Sequence, residues 1–187
     1  MRRLTQWGLW FGGALILAAA LLIGVDVVLR KFLVRSIGGA DELAGYALAI
    51  GSAWGFGAAL LDRAHIRIDS LYLLFPSWLR VALDLAGLLL LVGFFSLVAW
   101  HGSGVVMQSW TSGSRSQSDL QVPTVIPQLI WVAGLALFVL VGLVLLIDAL
   151  AKLRAGNVGG VTRTIGTRSA EEEVAEEIQA LKERQTG

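Results

Sequence analysis

Four long apolar stretches make up most of this chain. They run from Trp7 to Leu29, Ala40 to Leu61, Leu79 to Trp100 and Val125 to Leu150, with short polar joints between them. Each reaches the roughly 20 residues that a helix needs to cross about 30 Å of hydrocarbon. Backbone in lipid must satisfy its own hydrogen bonds, so stretches of this kind are helices. The predicted fold is an all-α membrane protein with four transmembrane helices. A soluble domain is excluded by the same pattern: the 187 residues are 56% hydrophobic and only 16% charged, which leaves too little polar surface. There is room for one membrane domain, residues 1–154, and a cytoplasmic tail, residues 155–187. The net charge of +1 offers no basic field for nucleic acid. With no cysteine, disulfides, thiolate nucleophiles and thiolate-held metals are ruled out.

Arg2 and Arg3 ahead of an apolar run look like a secretory signal. The run continues to Val25, well past the usual core of about 7–15 residues, so it reads as an uncleaved first span. Counting Lys and Arg near the helix ends sets the expected orientation. With the N-terminus inside, the inner segments carry Arg2, Arg3, Arg63, Arg67, Arg80, Lys152, Arg154, Arg163 and Arg168. The outer joints carry Arg30, Lys31, Arg35 and Arg115. Both termini are therefore expected in the cytoplasm. Trp7, Trp10, Trp78, Trp100 and Trp110 lie near span ends, at headgroup level, whereas Trp54 is mid-span and calls for a packing role.

The joints are informative. Ile68, Leu71, Tyr72 and Phe75 fall at i, i+3, i+4 and i+7, and Pro76 follows; this predicts a short in-plane amphipathic helix between the second and third spans. Thr111 to Gln121, rich in Ser, Gly and Gln, reads as a flexible outer loop. Pro123 and Pro127 bracket the start of the fourth span. Gly156, Gly159 and Gly160 read as a loose hinge. Beyond it, residues 169–184 form either a short helix with a thin stripe of Val174, Ile178 and Leu181, or a solvated tail.

Ionisable groups in a span are costly and are first suspected of function. Most acids here have a basic neighbour at helical spacing: Asp26 with Arg30, Asp84 with Arg80, and Asp148 with Lys152. Asp41 and Glu42 open the second span, where the exposed amides favour carboxylates; a contact with an outside partner, or with Arg30, Lys31 or Arg35, is the other reading. His101, near the end of the third span, reads as an interfacial polar group. His65 and His101 fall on opposite sides and could not share one haem. There is no metalloprotease, hydrolase, Walker or dinucleotide motif, and no internal repeat of the kind that builds a midplane substrate site. No catalytic residue, metal or cofactor is expected.

A set of residues around the second span carries a family resemblance. It runs from Asp41-Glu42-Leu43 through Gly51 and Gly57 to Arg63-Ala64-His65-Ile66-Arg67-Ile68-Asp69, and closes at Leu74-Phe75-Pro76. Pro123 to Trp131 adds a second matching stretch. Over about residues 7 to 150 the chain resembles the small, DctQ-like membrane subunit of tripartite ATP-independent periplasmic (TRAP) transporters. It departs from that pattern where Gly39-Ala40 replace an aromatic residue and Ala64 replaces a glycine. The resemblance implies a bacterial inner-membrane subunit that braces a large multi-span permease. A periplasmic binding protein would deliver an organic acid, with uptake driven by sodium. Arg63, His65, Arg67 and Asp69 would then fix the inner joint to lipid headgroups or to the large subunit. Arg30, Arg35, Asp41 and Glu42 would lie where the binding protein docks. The other readings are a haem- or quinone-binding anchor of a respiratory enzyme and the small subunit of another tripartite carrier.

Overall fold

The computed structural model describes residues 2–63 and 75–166, with Ile178. Four long helices, α1 (Arg2–Leu33), α2 (Ala40–Leu61), α3 (Ser77–Ser112) and α4 (Val125–Arg154), are followed by a short one, α5 (Val158–Ile165). The first four are each long and apolar enough to cross a membrane. The expected all-α, four-span fold is therefore the fold observed. The in-plane helix expected near 68–75 and the tail helix expected over 169–184 fall, save for Phe75 and Ile178, outside the described residues. Large apolar side chains such as Trp7, Trp10, Leu90 and Trp100 are about three-quarters exposed. Such surface is stable against lipid or an apolar partner and not against water.

The chain forms two compact units: Met1–Ala64 with Leu90–Val144, and His65–Leu89 with Leu145–Gly187. In the first, α1 lies along α2. Its inward positions are Thr5, Gly8, Gly12, Leu15, Ala19, Leu22, Asp26 and Leu29, buried or half-buried. These alternate in steps of three and four, the spacing of a narrow helix–helix seam. Small residues set the approach. A Cβ added at Gly12 would stand 2.6 Å from the Gly51 carbonyl oxygen, so the two backbones touch here. Above and below, Gly8 faces Trp54 and Gly57 faces Thr5.

The rest of this unit closes around aromatic rings. Phe56 of α2, Phe95 of α3 and Phe138 of α4 meet with centroids 4.6 to 6.1 Å apart. Phe138, Leu135 and Val141 are each 1% exposed. Trp54 has the packing role expected of it. Its ring meets Phe11 edge-on at 5.6 Å. Its indole N–H donates to the Ile130 carbonyl at 2.9 Å, so the one polar atom of a mid-span tryptophan is paired.

In the second unit the expected loose hinge is instead the start of α5. Asn157 caps it, its side-chain oxygen accepting from the Gly160 N–H at 2.8 Å. Val161 and Ile165 are buried. Lys152 Nζ donates to Asp148 at 2.7 Å, the expected i,i+4 pair, and also to the Thr164 hydroxyl at 2.7 Å. Burial of two apolar residues and one bridging lysine override the two glycines inside α5, while Gly156 keeps a left-handed turn before the cap. Asp84, in this unit, is 1% exposed.

Candidate functional site

Polar chemistry gathers at one end of the first unit, where the α1–α2 joint meets the α3–α4 loop. Asp26, two turns from the end of α1, is 2% exposed. Its Oδ1 accepts from the Ser36 hydroxyl at 3.0 Å and from the Ile37 backbone N–H at 2.5 Å. Its Oδ2 pairs with Arg30 Nε at 2.6 Å. The expected i,i+4 pair is therefore present, and it does more than neutralise a charge. A carboxylate holding two groups of the following joint fixes how the chain leaves α1. Arg30 also reaches Asp41 at 3.5 Å, linking α1 to the first turn of α2.

Gly39 precedes α2 at φ 87°, a left-handed conformation that side chains resist, and a Cβ there would strike the Leu120 side chain. Gly38 likewise lies under Asp119. The α3–α4 loop is thus seated on the joint and is not the flexible loop expected. α3 runs on to Ser112, and the chain then folds into a hairpin. Arg115 pairs with Pro123, and Ser116 N–H donates to the Val122 carbonyl at 2.9 Å. Val122 N–H returns to the Ser116 hydroxyl at 3.0 Å, and Arg115 Nη1 donates to the Gln121 carbonyl at 3.1 Å. The serines that suggested flexibility are the residues that satisfy the backbone.

Glu42 joins hairpin to helix. Its carboxylate is hydrogen-bonded by the Ser118 and Tyr46 hydroxyls, while its Oε1 is buried without a partner. The structure thus brings Arg30, Asp41 and Glu42 into one region, with exposed Arg35 on the same joint. Of the inner-joint residues, Arg63 is half-buried just beyond α2 with φ 54°, and His65, Arg67 and Asp69 lie outside the described residues. His101 is exposed. Among the described residues no three His, Cys, Asp or Glu side chains are placed to hold a metal ion.

This is a multi-pass membrane protein in which the described polar groups at one end of the first unit join helix ends. Residues 19–152 match the family model for the DctQ component of tripartite ATP-independent periplasmic transporters. The chain belongs to that family and is a small membrane subunit of a TRAP transporter. No curated protein and no solved structure matches it. A component of a tripartite transporter implies a permease and a binding protein as partners.

Proposed function

We propose that this subunit braces the large permease subunit and helps dock the periplasmic binding protein during sodium-coupled uptake of an organic acid. The observation that carries this reading is the polar platform of Arg30, Asp41, Glu42 and the seated hairpin. It is a shaped, hydrogen-bonded surface at one end of an otherwise lipid-facing unit. The platform faces the periplasm of a bacterial inner membrane, and both termini are cytoplasmic. Arg35 is an exposed cation on the platform, available to an acidic patch on the binding protein. Arg63, His65, Arg67 and Asp69 tie the opposite end to the large subunit or to anionic headgroups.

Two charge reversals test this. Arg35→Glu is expected to lower uptake and its salt dependence while the permease still co-purifies. Arg67→Glu is expected to weaken co-purification of the permease. In both variants the periplasmic protein, assayed by itself, keeps its full affinity for solute. Normal uptake in both would refute the assigned roles.

A further inference from the structure

We infer that the outward face of α1, over its first three turns, holds a site for an anionic phospholipid. A laterally open hollow of about 350 Å³ is lined by Arg3, Gln6, Trp7 and Trp10. These positions fall at i, i+3, i+4 and i+7, one face of the helix. It is the face turned away from the α2 seam, and all four residues are exposed. Trp7 is 75% and Trp10 78% exposed, so a bound molecule can reach the groups that line the hollow. The site is made of side chains and does not draw on the terminal amides of the helix.

The lining specifies the charge of the head. Arginine, glutamine and tryptophan all present N–H donors, and the amide oxygen of Gln6 is the one side-chain acceptor of the four. Arg3 adds a permanent positive charge. Among the described residues it forms no ion pair and no hydrogen bond, Asp62 at the neighbouring end of α2 included. The nearest acid on α1 itself is Asp26, about 34 Å along the helix. Donors and a cation without a counter-ion suit an acceptor-rich anion, and a phosphodiester is one. The same face makes that anion a lipid. Beyond Trp10 it continues as Gly13, Ala14, Leu17 and Leu21, all exposed. A Cβ added at Gly13 would meet nothing within 4 Å, so the strip dips between Trp10 and Leu17. Acyl chains lie along this apolar strip while the phosphate stays with Arg3, and the indole rings sit at the boundary between them. A zwitterionic lipid offers the same phosphate but brings a cationic group that Arg3 repels.

The test is native mass spectrometry of the full chain in mild detergent with an equimolar mixture of dioleoyl phosphatidylglycerol, phosphatidylethanolamine and phosphatidylcholine. Phosphatidylglycerol should be retained over either zwitterionic lipid by about fivefold, the worth of one arginine beside an anionic headgroup. Arg3→Gln, which keeps donors and loses the charge, should abolish that preference, and Arg3→Lys should keep it. Arg2→Gln removes an equal charge from an adjacent face, outside the hollow, and should leave the preference intact. All three substitutions are at exposed positions, so the variants should accumulate like the parent. Equal retention of the three lipids would overturn the assignment. So would an Arg2→Gln loss as large as that of Arg3→Gln, which would mean a diffuse charge effect and no site. Displacement of phosphatidylglycerol by excess inorganic phosphate would give the hollow to a soluble anion, and its absence from chain co-purified with the large subunit would give the face to that partner; either result overturns the site.

Discussion

Two adjacent glycines in α1 should respond differently to the same substitution. At Gly12 an added methyl carbon would stand 2.6 Å from the Gly51 carbonyl oxygen and 3.0 Å from Gly51 Cα. Ordinary contact begins near 3.5 Å, so α1 would have to withdraw by almost ~1 Å at that point. Both obstructing atoms are backbone and cannot rotate away. Overpacking of this kind costs about 1–3 kcal/mol. At Gly13 the same methyl meets nothing within 4 Å. There the exchange of glycine for the best helix former contributes about 1 kcal/mol in favour of the helix. The same propensity gain applies at Gly12, so Gly12→Ala and Gly13→Ala should differ in stability by the overpacking cost, roughly 1–3 kcal/mol. Thermal unfolding in micelles followed by far-ultraviolet circular dichroism reads the difference. Because the chain has no cysteine, a Leu9→Cys, Gly55→Cys pair reports directly on the seam, where a Cβ at Gly55 would lie 3.9 Å from Leu9 Cδ1. Cross-linking should slow in the Gly12 variant and hold in the Gly13 variant. Equal melting and equal cross-linking would refute the seam.

Three other substitutions follow from single contacts. Trp54→Phe keeps most of the ring packing but leaves the Ile130 carbonyl without its indole donor, and should cost about 1 kcal/mol in the same unfolding assay; an unchanged midpoint would count against that bond. Lys152→Met keeps the aliphatic stem and removes the bonds to Asp148 and Thr164, so amide exchange at Val161 and Ile165 should quicken; unchanged protection would mean the lysine does not hold α5. Gly39→Ala imposes a side chain at φ 87° against Leu120 and should open residues 113–124 to proteolysis; an equally resistant hairpin would contradict its seating on the joint.

What was legible in the chain was what is local. The spans announce themselves by length and hydropathy, because lipid permits no alternative to the helix. The Asp26–Arg30 and Asp148–Lys152 pairs could be expected from spacing alone, because residues four apart share a helix face. The hairpin was misjudged because its order comes from Gly38 and Gly39, some eighty residues away in sequence, and from serines whose hydroxyls serve the backbone. α5 was misjudged because its glycines disfavour a helix by propensity, whereas burial of Val161 and Ile165 and the Asn157 cap decide the outcome. The α1 seam runs through the sequence in three-four steps, with its small residues gathered at Thr5, Gly8 and Gly12, but a span that is apolar on every side hides which stripe is inward. Trp54 called for packing, but its acceptor, Ile130, lies 76 residues further along.

The most direct test of a bracing role is affinity purification of the tagged full chain from native membranes in mild detergent, with stoichiometry read by quantitative mass spectrometry. A much larger multi-span permease should accompany it in roughly equal amount. Recovery of the chain alone, or in the company of a haem-bearing respiratory complex, would contradict the role assigned to it.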